Sequence, residues 1–307
     1  MATTNTITTT YSGESTREFI SAALLSSPTI YNGNISVLPN IKYQQVVRKF
    51  DTDGLLKDAT CDFTDTSTLT TLERILTPKS LQVNLQLCKE DYRDTWDAIS
   101  MGYSAFDNIP PDFASYLVSY AAAKVAAANE TSIWAGATGT SGQFDGFETL
   151  LTTNAAQPQA MEIAGTTLSK SNIIAQMELI EDQITAQLYG KDDLAIYIGT
   201  AGIKFYIQAQ AALGYMDKFH VGQSSLDFHG IPFIHAPGMT ANKAICTTKD
   251  NLWFGTGLLN DSNEVKVIDM ADIDGSQNVR VVMRMTAGAQ FGNGEDIVTY
   301  GISNGSN

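Results

Sequence analysis

Apolar and polar residues alternate over residues 79–87, where Leu81, Val83, Leu85 and Leu87 interleave with Gln82, Asn84 and Gln86. A period of two puts each set on its own face, so this run predicts a strand with one buried side. A second strand-like run covers residues 43–50, and between the two lies a polar stretch, DTDGLLKDATCDFTDTSTLTT. It is too long for a tight hairpin turn, and segments of that length inside a domain usually contact something. Residues 41–80 are therefore read as an extended two-stranded loop with too few apolar side chains to fold back on its own chain.

The period then lengthens. PPDFASYLVSYAAAKVAAANETSIWAG predicts a helix over residues 112–134, capped by Asp112 and stopped by Gly136. At about 1.5 Å rise per residue it is a rod of roughly 35 Å. Its alanines allow a close approach to a sheet; Ala122 and Ala126 are the positions expected to pack, with Lys124 at the solvent edge. Ile173, Met177, Ile180, Ile184 and Leu188 recur at helical spacing and predict a helix over residues 171–188, ended by Gly190. An apolar strand over residues 194–198 follows, then a helix capped by Thr200 and stopped at Gly214, then strands near residues 228–234, 244–248 and 252–254.

The end of the chain alternates again, at Val265, Val267 and Ile268, at Val279, Val281, Met283 and Met285, and at Ile297, Val298 and Tyr300. These runs are sheet partners for residues 79–87, so that domain is discontinuous in sequence. The first forty residues form a Thr/Ser-rich arm with an amphipathic helix over residues 14–25, after which Pro28, Asn32-Gly33 and Pro39 force an extended path. The fold class is α+β. Its parts are an arm (1–40), an extended loop (41–80), a first domain (81–136 with 265–307) and a second, mixed domain (137–264).

Composition narrows the function. With 43% apolar residues in 307, the chain can bury a sizeable core. No run approaches the roughly 18–20 apolar residues of a bilayer span, and MATTNTITTT is no signal peptide, so a soluble protein made in the cytoplasm is expected. Acidic residues number 33 against 19 basic, for a net charge of −14, and no basic run exceeds Arg48-Lys49. Tight binding to a polyanion needs many cations, so contact with DNA is expected to be weak and independent of sequence.

No motif rises to a catalytic or metal site. Cys61, Cys88 and Cys246 stand far apart without histidines at metal spacing and read as reduced, buried thiols. His220, His229 and His235 share a segment, with Asp227 nearby, but no zinc-binding spacing. GATGTSG (136–142) lacks the Gly-Lys-Ser/Thr ending of a phosphate loop and reads as a flexible connector, and Gly255-Thr-Gly257 lacks the third glycine of a dinucleotide fingerprint. There is no GxSxG elbow, and carboxylate pairs such as Asp192-Asp193 suit solvated faces.

Several long phrases carry a likeness that the short motifs do not: EFISAALLSSPTIYNGNISVLPNIKY, DDLAIYIGTAGIKFYIQAQAALG, GIPFIHAPGM, DNLWFGTGLLNDSNEVKVIDM and NVRVVMRMTAGAQFGNGEDIV. In these phrases and in the order of its parts the chain resembles the major capsid proteins of tailed phages with the Hong Kong 97-type fold. The resemblance implies an N-arm, an extended loop, a long spine helix, a peripheral domain and an axial domain. It implies a non-enzymatic subunit without cofactors, assembling with itself as hexamers and pentamers into an icosahedral head around double-stranded DNA, with a separate scaffolding protein, a portal and decoration proteins as partners. The chain would be part of the virion, assembled in the host cytoplasm. The globular part starts by about residue 40, so a fused scaffolding segment is not expected. Arg48, Lys49, Asp51 and Lys57 mark the loop expected to meet a neighbour, and no Lys–Asn crosslink is assigned among Lys49, Lys57, Asn278 and Asn293. The competing readings are an encapsulin-like cellular compartment and a soluble hydrolase with dispersed active-site residues.

Overall fold

The computed structural model describes residues 28–41, 43–59, 61, 65–89, 111–153, 160–213, 226–257 and 265–303. The helix expected over residues 14–25 lies outside them, as does His220. In chain order the elements are a helical turn α1 (Pro28–Tyr31), β1 (Ser36–Leu38), β2 (Gln45–Asp53), β3 (Thr68–Leu76), β4 (Lys79–Cys88), α2 (Pro111–Ala135), α3 (Phe147–Thr153) and β5 (Met161–Ile163). Then come α4 (Ile173–Asp182), β6 (Leu194–Ile198), α5 (Thr200–Ala212), β7 (Asp227–Phe228), β8 (Ile231–His235), β9 (Ala244–Thr248), β10 (Leu252–Thr256), β11 (Val265–Asp269), α6 (Ala271–Asp274), β12 (Asn278–Phe291) and β13 (Val298–Tyr300).

The chain divides into two units, one of Met1–Ser26, Ser80–Ala128 and Leu259–Met285, the other of Ser27–Lys79, Asn129–Leu258 and Thr286–Asn307. In the first, β11 runs antiparallel to the first half of β12, from Val265 opposite Met283 to Asp269 opposite Val279. β4 also pairs with β12, and Arg280 Nε donates to Gln86 Oε1 at 3.0 Å. The alternation read in β4 holds, with Leu81 buried, Val83, Leu85 and Leu87 half-buried, and Gln82, Asn84 and Gln86 exposed. Lys89 closes this strand with an ion pair to Asp269.

The second unit carries a six-stranded sheet in the order β5-β13-β9-β6-β8-β7. β6 and β9 are buried along their whole length, which shows that both faces of the sheet are covered there. Against the sheet lie Ile173, Met177 and Ile180 of α4 and Tyr206 and Ala209 of α5, in one core with Leu194, Ile196, Ile198, Val298 and Tyr300. The apolar spacing over residues 171–188 names the right buried side chains, but the helix stops at Asp182. Gln183 N–H bonds back three residues to Ile180 O, and the chain continues as turns that still bury Leu188. β-branched Ile184 and Thr185, weak helix formers, occupy the break.

Thr200 is the first helical residue of α5; Gly199 takes the cap position, and the Thr200 hydroxyl lies 2.8 Å from His235 Nε2 instead. The strand expected near residues 228–234 is a hairpin, β7–β8. His229 (φ 47°) and Gly230 (φ 90°) both lie in the left-handed region, which is what a two-residue turn with the twist of its strands requires. β1, α3 and β5 are short and carry no period long enough to read.

Neighbouring positions on α4 separate core from surface: Ile180 is 1% exposed and Leu179 44%. Ile180→Ala is expected to destabilise the unassembled subunit by about 2–5 kcal/mol and Leu179→Ala by less than about 0.5 kcal/mol, as read by urea denaturation.

Candidate assembly surface

β2 and β3 form a two-stranded ribbon in full register, from Gln45 opposite Leu76 to Asp53 opposite Thr68. At about 3.4 Å per residue it extends roughly 30 Å. The second strand of the ribbon is β3, which the sequence pattern leaves inside the polar stretch, while residues 79–87 pair with β12, as the alternation at Val279 to Met285 leads one to expect. β3 is hard to read in the sequence because Thr68, Thr70 and Thr71 make TLTTLERIL look polar, although threonine suits a strand exposed to water.

Opposed residues of an antiparallel pair share a face. One face of the ribbon carries Val46 opposite Ile75, Arg48 opposite Glu73 and Thr52 opposite Leu69. All three apolar side chains of that set are uncovered: Val46 is 46% exposed, Ile75 47% and Leu69 65%. In the connection beyond the strands Leu55 is 68% exposed and Leu56 97%. Arg48 Nε reaches Glu73 Oε1 at 2.8 Å, a solvated pair that contributes little. Lys57 is exposed; the side chains of Lys49 and Asp51 lie outside the described residues.

The root is the opposite case. Leu76 is 1% exposed and lies under Gly255, where a Cβ would come within 2.6 Å of it. Thus Gly255-Thr-Gly257 serves the ribbon's seat, the first glycine making room for Leu76 and for Ile41. Gln290 Nε2 donates to Ile75 O at 3.0 Å, and Arg74 Nε donates to Gly292 O at 3.3 Å with its guanidinium over the Phe291 ring. No motif singles out Arg74, though the alternation places this cation on one face with Leu76.

A second fastening holds the chain where it enters the described structure. Glu130 of α2, 1% exposed, accepts from the Thr29 hydroxyl and from Trp134 Nε1 (3.0 Å), and Trp134 packs on Tyr197 at 5.3 Å between ring centroids. A third is Glu148, 4% exposed, which accepts from Thr240 N, Thr240 Oγ1 and Lys243 Nζ at 2.7–2.8 Å. Nothing in the period or the motifs of the sequence marks either carboxylate. Elsewhere on α2 Lys124 is exposed and Ala126 half-buried, and the side chain of Ala122 lies outside the described residues.

The remaining sequence candidates are not brought together. His229 Nδ1 is 2.5 Å from Glu181 Oε2, while His235 bonds Thr200. GATGTSG is a fastened turn and no loose connector: Thr138 N donates to Asp145 Oδ1, and Lys79 Nζ donates to Thr138 O and Gln143 O. Cys246 is buried and desolvation pushes its thiol up to about 12. Cys61 is exposed, against expectation, because the polar ribbon connection around it offers nothing to pack on. Among the described residues no three His, Cys, Asp or Glu side chains gather as metal ligands.

No protein-family model and no curated protein matches the chain. Solved structures do. The capsid of a native GTA particle matches with a TM-score of 0.65 and 15% identity over 92% of both chains. The cyanophage A-1(L) capsid matches at 0.62 and 12% identity, over 93% of this chain and 94% of that one. A chain of Gordonia phage Cozz matches at 0.61 and 15% identity, over 92% and 88%. At such identities the likeness is one of fold, and the fold is the Hong Kong 97-type capsid fold, as the order of parts implied.

Burial holds the His235 imidazole below its ordinary 6.5, with Glu130 opposing part of the shift. The unfolded chain therefore binds the extra proton first, and stability falls as pH drops through 6.5 toward the folded value. The melting temperature of the unassembled subunit is expected to fall below about pH 6.5, and His235→Gln, which keeps a partner for Thr200, should reduce that fall.

Proposed function

We propose that this chain is the major capsid protein of a tailed phage, a subunit that binds copies of itself into a closed icosahedral shell around double-stranded DNA. The observation that carries the reading is the ribbon, whose root is buried on its own chain while Val46, Leu55, Leu56, Leu69 and Ile75 are left to water. Side chains of this kind on an exposed sheet invite a partner surface. The fold shared with phage capsid chains supports another copy as that partner.

On this reading residues 41–80 lie over a neighbouring subunit, residues 112–134 are the spine of a peripheral domain formed by 81–136 and 265–307, residues 137–264 are the axial domain, and residues 1–40 the arm. Hexamers and pentamers are the building units, with a separate scaffolding protein, a portal and decoration proteins as further partners. The subunit is not an enzyme and needs no cofactor. A charge of −14 keeps contact with packaged DNA weak. The chain ends in the virion after assembly in the host cytoplasm. No observation above favours the encapsulin-like compartment or the hydrolase.

Deleting residues 51–70 removes the outer ribbon and leaves the Arg74–Leu76 root. The variant is expected to fold, with an unchanged far-ultraviolet spectrum, and to yield no particles by negative-stain microscopy; particles of normal size would refute the role given to the ribbon.

If α2 is the spine packed on the sheet of β4 and β12, a large side chain on its packed side pushes the two apart at about 1–3 kcal/mol. Ala122→Trp and Ala126→Trp, made separately, should between them give at least one insoluble or malformed product, while Lys124→Gln assembles normally. Normal particles from both tryptophan variants would remove the spine assignment.

A further inference from the structure

We infer that Arg74 is the docking point for a carboxylate supplied by a second copy of this chain. The inference rests on the shell reading and adds to it a specific contact at the ribbon's root.

Arg74 is 9% exposed, and desolvation lowers its pKa from the ordinary 12.5. Within its own chain Nε donates to Gly292 O at 3.3 Å and the guanidinium carbon sits 4.4 Å above the centre of the Phe291 ring. No carboxylate pairs with it among the described residues, and the two terminal amino groups, which carry most of its donors, have no acceptor there. The other cation buried this far among the described residues behaves differently: Lys89 is paired with Asp269. A partly buried cation with no carboxylate partner among the described residues disfavours the isolated subunit, and an apolar residue of similar length would serve its packing better. An arginine at this position makes sense if the counter-charge arrives from outside.

The seat is built to hold the guanidinium in one orientation. Phe291 beneath it is 2% exposed, and Gly292 N donates to Asn251 O at 2.9 Å. A Cβ on Gly292 would come within 2.6 Å of Asn251 Oδ1 and 3.0 Å of Trp253, so any side chain here would have to displace Asn251 from the carbonyl's surroundings. A planar fork held on a ring face matches the two oxygens of a carboxylate. The same chain is the favoured source. It carries 33 acidic residues against 19 basic, and Arg74 directly precedes Ile75, 47% exposed, at the start of the uncovered ribbon face. A copy that covers the ribbon reaches its root.

The test compares the full-length parent with Arg74→Met, which keeps an apolar side chain on Phe291, and Arg74→Lys, which keeps the charge without the fork. The expected result is that unassembled Arg74→Met melts at or above the parent's temperature yet needs about tenfold more protein, or greater, to form particles by light scattering, with Arg74→Lys in between. Assembly of Arg74→Met at parental concentration overturns the inference. So does early melting of both variants, which makes Arg74 a packing residue, and so does unchanged assembly with lost affinity for inorganic phosphate or duplex DNA, which makes the occupant a phosphate. A parent that forms no particles under any condition overturns the shell reading as well, which keeps the two failures distinguishable.

Discussion

Water cannot satisfy apolar side chains, and this chain leaves several of them on a two-stranded ribbon with no third strand and no helix to cover them among the described residues. Isolated hairpins are marginal at best. The ribbon's order comes from its root, where Leu76 fills the space left by Gly255 and Arg74 lies on Phe291. Outward from there, each Val, Leu or Ile that a partner covered would contribute up to about 1.5–3 kcal/mol. The arrangement makes sense when the free subunit is a transient state and the covered one is the working state. Repetition by symmetry then multiplies a modest contact into a stable assembly.

Polar groups inside the second unit fasten distant segments of the chain to one another. Glu130 and Glu148 are buried carboxylates, which are tolerated only when hydrogen bonds replace their lost hydration. Glu130 ties the segment at Thr29 to α2, and Glu148 ties the turn at Thr240 and Lys243 to α3. Each fixes a loop far away in sequence to a helix. With Gly238 so close to α2 that a Cβ would meet the Glu130 carbonyl at 2.1 Å, these fastenings define one side of the unit that bears the ribbon.

Much of the fold is legible in the sequence, for a physical reason. The alternation of Leu81 to Leu87, the helical spacing of Ile173, Met177 and Ile180, and the unbroken apolar run Leu194–Ile198 each report a burial pattern directly. Where burial is absent the pattern goes silent. β3 is a strand without a core, so its threonines read as loop. The short strands β1 and β5 owe their state to partners distant in sequence, β10 and β13. The site is the least legible part. Arg48 lies on the ribbon and Lys57 in its connection, both exposed, but Arg74, Glu130 and Glu148 act through contacts with residues far along the chain, at Gly292, Thr29 and Thr240, which no local period encodes.

The central claim is that the ribbon is covered by another copy of the chain. Cryo-electron microscopy of the assembled protein tests it most directly. The account predicts a closed shell in which Leu55, Leu56 and Leu69 of each subunit lie against an adjacent subunit. A ribbon free in solvent or folded onto its own subunit in such a shell would contradict it, as would a protein that remains a small oligomer.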